Sequence, residues 1–231
     1  MHVGIVGAGQ LGRMLALSGY PIGVRCLFLD RGADTPGAQV APSLIGDLED
    51  AALLAELAAR SDVVTFDWEN IAGSALKPLE TITQVRPPRA ALEVSQDRLA
   101  EKTLFTRLKI PVAAHCAIDS REQLIHAVEK IGLPGVLKTR RFGYDGKGQY
   151  VLRAAADVDQ AWAAIGAAAL IYEKFQDFSR EVSLVGVRSA AGQTVFYPLS
   201  CNTHGGGILR YSTAPFTNAR LEKSARRYMK R

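Results

Sequence analysis

The chain has 231 residues, 48% apolar and 22% charged, a balance that fits one or two folded cores and excludes disorder. Its net charge of +5 is concentrated in Arg220, Lys223, Arg226, Arg227, Lys230 and Arg231. That cluster reads as one helix face and lacks the interleaved aromatics of a nucleic-acid module. No apolar run approaches the roughly 20 residues that span a bilayer, which argues against a membrane protein. Met1 to Val6 enters a strand at once, which predicts no secretory leader. Cys26, Cys116 and Cys201 are scattered and follow no paired spacing, which fits the reducing cytoplasm better than a disulfide framework.

Residues 2–7 form a short apolar strand, followed by a glycine-rich turn and a helix to about Tyr20. Cys26 to Asp30 reads as a second buried strand. Asp47 is positioned to cap a helix bearing Leu53, Leu54 and Leu57, and Val63 to Phe66 reads as a third strand. Alternating strand and helix predict an open, mostly parallel α/β sheet. Pro87-Pro88 interrupts this pattern and sets the expected boundary between a domain at 1–88 and another at 89–231.

Beyond the boundary, Arg89 to Leu108 has helical spacing, and Ser120-Arg121-Glu122-Gln123 is a capping box for a helix to about Ile131. Val136 to Lys138 and Gln149 to Leu152 read as strands around a glycine-rich loop. Ala154 to Ala169 is expected to be helical. Ile171 to Glu173, Glu181 to Val187, Thr194 to Pro198 and Ile208 to Arg210 read as strands of a mainly antiparallel sheet.

Gly7-x-Gly9-x-x-Gly12 follows a strand, opens a helix and is followed by Asp30 at the end of the next strand. This is close to the dinucleotide-binding fingerprint, in which the acid holds a ribose. Helix N-terminal amides serve any phosphate, however, so the motif leaves an NAD(P)-binding module and other phosphate ligands both open.

The second half is more specific. Lys138 ends a buried strand, where a long cation can reach a cleft. The loop after it, Gly143-Tyr144-Asp145-Gly146-Lys147-Gly148-Gln149, has three glycines and a cation. Backbone amides in such a loop can close over a polyphosphate. It lacks the GxxxxGK[ST] form, which disfavours a P-loop ATPase. Glu173 follows the apolar Leu170-Ile171-Tyr172, with Lys174-Phe175 beyond it, a pattern suited to holding an adenine. Glu181 opens the next strand, where a carboxylate could accept ribose hydroxyls. His204 stands alone between Thr203 and Gly205, and no His or Cys spacing suggests a transition metal.

GAGQLGRM (7–14), QDRLAEK (96–102), GYDGKGQ (143–149), REVSLVG (180–186) and NTHGGGILR (202–210) occur in one order along the chain. Together they resemble the N5-carboxyaminoimidazole ribonucleotide synthetases, an ATP-grasp family of purine biosynthesis. The resemblance implies a Rossmann-like pre-ATP-grasp domain followed by an incomplete ATP-grasp domain of α+β type. It also implies a ligase that uses ATP to carboxylate 5-aminoimidazole ribonucleotide with bicarbonate through carboxyphosphate, with small-molecule partners and a homodimeric full-length form. A formate-using ATP-grasp relative remains the nearest alternative.

By the same resemblance, Arg89 and Lys138 look like the cations on the ATP phosphates, and Gly143, Tyr144, Asp145, Gly146, Lys147, Gly148 and Gln149 like the phosphate lid. Glu173, Lys174, Phe175 and Gln176 would contact adenine, Glu181 the ribose, and His204 another part of the nucleotide. Gln10, Leu11 and Glu69 fall on the ribonucleotide side. Lys138, Tyr144 and Lys147 would carry the chemistry. Three positions depart from the family: Gly206-Gly207 replaces a segment with an acid, Asp67 a glutamate and Gln176 an apolar residue. The Mg²⁺ that ATP-grasp enzymes place on the phosphates is expected to find its ligands beyond Arg231. The chain is therefore expected to keep nucleotide affinity without ligase turnover.

Overall fold

The structure, a computed structural model, describes residues 1–143, 147–166 and 168–231. It has two compact units, Met1–Asp97 and Arg98–Arg231.

The first unit runs β1 (His2–Val6), α1 (Gln10–Gly19), β2 (Arg25–Asp30), β3 (Ser43–Ile45), α2 (Ala51–Ala59), β4 (Val63–Phe66), α3 (Gly73–Leu76), β5 (Gln84–Val85) and α4 (Arg89–Ser95). Its five strands are all parallel, in the order β3-β2-β1-β4-β5. Both faces of the sheet are covered, which explains the unbroken apolar runs seen in the sequence. Ile5 and Phe28 pack with Ala8 and Ala16 on one side. Val6, Leu29 and Val64 join Leu54, Leu57 and Leu76 on the other. Because β2 and β4 flank β1 on opposite sides, the strand order reverses there. The carboxyl ends of β1 and β4 therefore open a crevice.

Two local readings change. The cap of α2 is Asp50, whose carboxylate accepts the N–H of Ala52 and Leu53. Asp47 instead accepts from Glu49 and pairs with Arg31. The units also divide one short helix later than Pro87-Pro88. Leu92 of α4 is buried with Ile71, Leu76 and Leu79, and the Gln96 amide donates to the carbonyls of Glu69 and Ile71. The prolines interrupt the strand pattern without interrupting the core.

The second unit runs α5 (Arg98–Arg107), β6 (His115–Ile118), α6 (Arg121–Ile131), β7 (Gly135–Thr139), β8 (Gln149–Leu152), α7 (Asp157–Ile165), β9 (Leu170–Lys174), β10 (Glu181–Ser183), β11 (Gly186–Arg188), β12 (Thr194–Phe196), β13 (Ser200–Gly205), β14 (Ile208–Thr213) and α8 (Ala219–Met229). Its largest sheet has the order β6-β9-β7-β8 and is antiparallel throughout. Strand alternation gives the two faces different work. Leu137, Leu170 and Tyr172 face α6 and α7, packing with Leu124, Val128, Val158 and Ala161. Val136, Lys138, Ile171 and Glu173 share the other face, with Val136 opposite Glu173 and Lys138 opposite Ile171. A Cβ on Gly135 would meet the Tyr172 hydroxyl at 2.0 Å, so this close approach requires glycine.

The single antiparallel sheet expected from Ile171 to Arg210 is spread over three: β9 belongs to the four-stranded sheet, and the later strands form two more. The Glu181–Val187 stretch breaks, so that β10 pairs β13 while β11 pairs β12. β13 and β14 join at Gly206-Gly207, with φ of +62° and +80°. Positive φ at both central residues is a turn conformation that glycine adopts without steric cost. α8 is capped by Asn218. The Arg231 guanidinium donates to the carbonyls of Leu108 and Lys109, just beyond the end of α5.

Candidate active site

In the first unit, a cleft of about 410 Å³ opens at the carboxyl ends of β1, β2 and β4. Gly7, Gly9, Gln10, Leu11, Asp30, Asp67 and Glu69 are among its lining residues. The three residues expected on the ribonucleotide side, Gln10, Leu11 and Glu69, thus share one wall system. Two glycines serve the close packing of this loop. A Cβ on Gly9 would lie 2.7 Å from the Asp67 carboxylate, and one on Gly12 would lie 2.9 Å from the Phe28 ring. α1 begins at Gly9 with no side-chain cap and no acid in its first turn. Its leading amides and the positive end of its dipole therefore suit an anion.

Asp30 is committed elsewhere. Its carboxylate accepts the N–H of Ala8 at 2.7 Å and that of Gly32 at 3.1 Å. The acid of the dinucleotide fingerprint thus ties the glycine loop to the end of β2.

In the second unit, Glu173 is only 7% exposed and takes two lysines. The Lys138 ammonium lies 3.0 Å from one carboxylate oxygen, and the Lys102 ammonium 3.4 Å from the other. Lys138 arrives along β7 and Lys102 from α5. Burying a carboxylate is costly unless such partners accompany it. Beside them, burial pushes the Glu101 carboxyl above its usual range; Lys102 and Arg98 oppose the rise, and Glu173 adds to it.

Arg98 holds the base of the glycine-rich loop. Its guanidinium donates to the carbonyls of Thr139 at 3.2 Å and Gly143 at 3.4 Å, and its backbone N–H donates to Arg140. Thr139 receives the other end of the loop through a 2.8 Å bond to the Gly148 carbonyl. Gly148 has φ +67°, and a Cβ there would meet the Thr139 hydroxyl at 2.6 Å. Gln149 pairs with Lys138 across β7 and β8. Tyr144, Asp145 and Gly146 lie outside the described residues; Lys147 lies within them.

The remaining candidates follow β9. Lys174 turns its ammonium to the Leu133 carbonyl at 2.9 Å, so its side chain is occupied on the helical face. Phe175 lies 6.0 Å beneath the Arg153 guanidinium, and the Gln176 amide donates to Lys174. Glu181 is brought next to His204, 3.7 Å apart, and to Asn202 at 3.5 Å. The register explains this: Glu181 sits opposite Asn202, and His204 follows on the adjoining strand.

Arg89, expected on the ATP phosphates, lies in the first unit, where it pairs with Glu80 and Glu93. The cations that sequence reasoning missed are Arg98 and Lys102. They stand one helical turn apart in the Gln96–Lys102 segment, a spacing that puts both on one face of α5. Among the described residues, no group of three or more His, Cys, Asp or Glu side chains is placed to hold a metal ion. No described helix is long and apolar enough to cross a membrane.

Family models match both halves of the chain. The family model for the ATP-grasp domain matches residues 103–231, and that for the ribonucleotide synthetase preATP-grasp domain matches residues 1–96. The N5-carboxyaminoimidazole ribonucleotide synthase of Pseudomonas aeruginosa is 44% identical over 214 residues, covering 93% of this chain and 59% of that protein. The crystal structure of the N5-carboxyaminoimidazole ribonucleotide synthetase from Thermus thermophilus matches with a TM-score of 0.92 at 42% identity, over 99% of this chain and 62% of that one. The Staphylococcus aureus N5-carboxyaminoimidazole synthetase complexed with ADP matches with a TM-score of 0.94 at 30% identity, over 99% and 62%. The chain therefore spans about three-fifths of the length of these relatives.

Proposed function

The chain belongs to the ATP-grasp family, as a relative of the N5-carboxyaminoimidazole ribonucleotide synthetases, and from that premise we propose that it serves the ATP-dependent carboxylation of 5-aminoimidazole ribonucleotide. In that reaction a bicarbonate oxygen attacks the γ-phosphorus of ATP and ADP leaves, giving carboxyphosphate. The substrate amine then takes the carboxyl group and loses a proton, and phosphate departs. The products are N5-carboxyaminoimidazole ribonucleotide, ADP and phosphate.

The observation that carries this reading is the convergence of Lys138 and Lys102 on a buried carboxylate beside a glycine-rich loop. Lys138, Lys102 and Arg98 would hold the ATP phosphates and offset charge as the γ-phosphoryl group moves. Gly143, Lys147, Gly148 and Gln149, at the ends of the glycine-rich segment that Thr139 and Arg98 hold, would contribute further phosphate contacts. The main chain of Glu173 to Gln176 would read the adenine edge, with Phe175 against its face. Glu181, steadied by Asn202 and His204, would accept the ribose hydroxyls. In the first unit, the open amides of α1 would take the ribonucleotide phosphate, with Gln10, Leu11 and Glu69 around it. A cytoplasmic location and a homodimer in the full-length protein belong to the same reading.

Calorimetric titration of 5-aminoimidazole ribonucleotide into the chain tests the substrate half of this proposal. Saturable binding, weakened about tenfold or more in Glu69→Ala through a lost polar contact, is the expected result. Absence of binding to the wild-type chain would overturn it.

A further inference from the structure

We infer that the Glu173 side chain acts as an internal stand-in for phosphate, a carboxylate that occupies Lys102 and Lys138 until a nucleotide displaces it and so excludes free polyphosphates from the site. This rests on the nucleotide reading above, and it gives Glu173 a role apart from any main-chain contact with adenine.

The geometry is specific. Each carboxylate oxygen of Glu173 faces a different lysine, at 3.0 and 3.4 Å. The lysines come from separate elements, β7 and α5, so no local sequence constraint forces them together. The side chains of Lys102 and Lys138 are only 16% and 22% exposed. Two ammonium groups alone in so enclosed a place would repel each other. With the carboxylate between them, both side chains are held extended before any ligand arrives. Little reorganisation is then left for the moment of binding.

The same contact has a cost for anions. A phosphate must compete with Glu173 for the ammonium groups it needs, and the carboxylate repels it. A ligand that brings only phosphate has nothing further to offset that competition. A ligand that also brings a base and a ribose does. Glu173 therefore acts as a specificity-determining residue, setting adenine nucleotides apart from inorganic pyrophosphate or tripolyphosphate.

The test titrates ATP, adenosine and inorganic tripolyphosphate separately into the wild-type chain, Glu173→Gln and Lys102→Met. In Glu173→Gln, tripolyphosphate binding is expected to tighten about tenfold or more, the effect of removing one negative charge a few ångströms from the ligand. Adenosine binding is expected to stay unchanged. Weaker adenosine binding with unaltered tripolyphosphate affinity would assign the carboxylate to the base and overturn the inference. If Glu173→Gln does not fold, Lys102→Met decides: tripolyphosphate weakened about tenfold with adenosine unaffected supports the inference, and unaltered tripolyphosphate affinity overturns it. A wild-type chain that binds no ATP would remove the nucleotide reading itself. A wild-type chain that binds ATP beside an unresponsive Glu173→Gln would remove this inference alone.

Discussion

The carboxylate of Asp30 accepts the backbone N–H of Ala8 at 2.7 Å, so the acid that ends β2 closes the glycine loop that follows β1. Asp30→Ala leaves that N–H and the N–H of Gly32 without their acceptor. Removing a charged acceptor from part-buried donors should lower unfolding stability by about 1–3 kcal/mol, read as a shift in the urea midpoint. A midpoint equal to that of the wild type would show that the contact contributes nothing.

Arg98 donates to the carbonyls of Thr139 and Gly143. Arg98→Ala should weaken ATP binding by about tenfold or more, because a guanidinium at the loop base is lost. An unchanged affinity in a binding titration would remove Arg98 from the phosphate site.

Lys138 and Lys102, which meet at Glu173, show how far the sequence carries. The parallel sheet was legible because strands buried on both faces must be apolar throughout, as Ile5, Val6, Phe28 and Leu29 are. Lys138 was legible because a lysine directly after Val136-Leu137 is out of place in a buried strand unless something calls for it. Lys102 was not legible as a site residue. On an exposed-looking helix a lysine is ordinary, and only the tertiary approach of α5 to β9 gives it Glu173. The Asp47 reading failed for a local reason, since Asp50 lies closer to the first turn of α2 and satisfies its amides. The separation of β10 from β11 was hidden because a break in pairing leaves no mark in an apolar alternation.

Gly12 stands where α1 meets the sheet. A Cβ there would lie 2.9 Å from the Phe28 ring and 3.2 Å from the Gly7 carbonyl. Phe28 is fully buried and has little room to yield. Gly12→Ala should therefore cost about 1–3 kcal/mol through overpacking, measured by chemical denaturation. A stabilised variant would contradict the packing described here.

Asp157, in the first turn of α7, accepts the N–H of Ala154 and Arg153. These backbone bonds hold its carboxyl below the ordinary value of 3.8. A folded value below the unfolded one contributes stability that is present above the unfolded value and lost as pH falls through the depressed one. The melting-temperature advantage of the wild type over Asp157→Asn should therefore shrink as pH is lowered from about 6 to about 3. A constant difference across that range would contradict the assignment.

The central claim is that the nucleotide chemistry of this chain lies in the second unit, around Lys138, and not in the glycine fingerprint of the first. Its most direct test is calorimetric titration of ATP and, separately, NAD⁺ into the wild-type chain and Lys138→Ala. The account predicts that ATP binds the wild type, that Lys138→Ala abolishes or greatly weakens this binding, and that NAD⁺ binds neither. NAD⁺ binding that is indifferent to Lys138 would contradict it, and would move the function to the loop from Gly7 to Gly12.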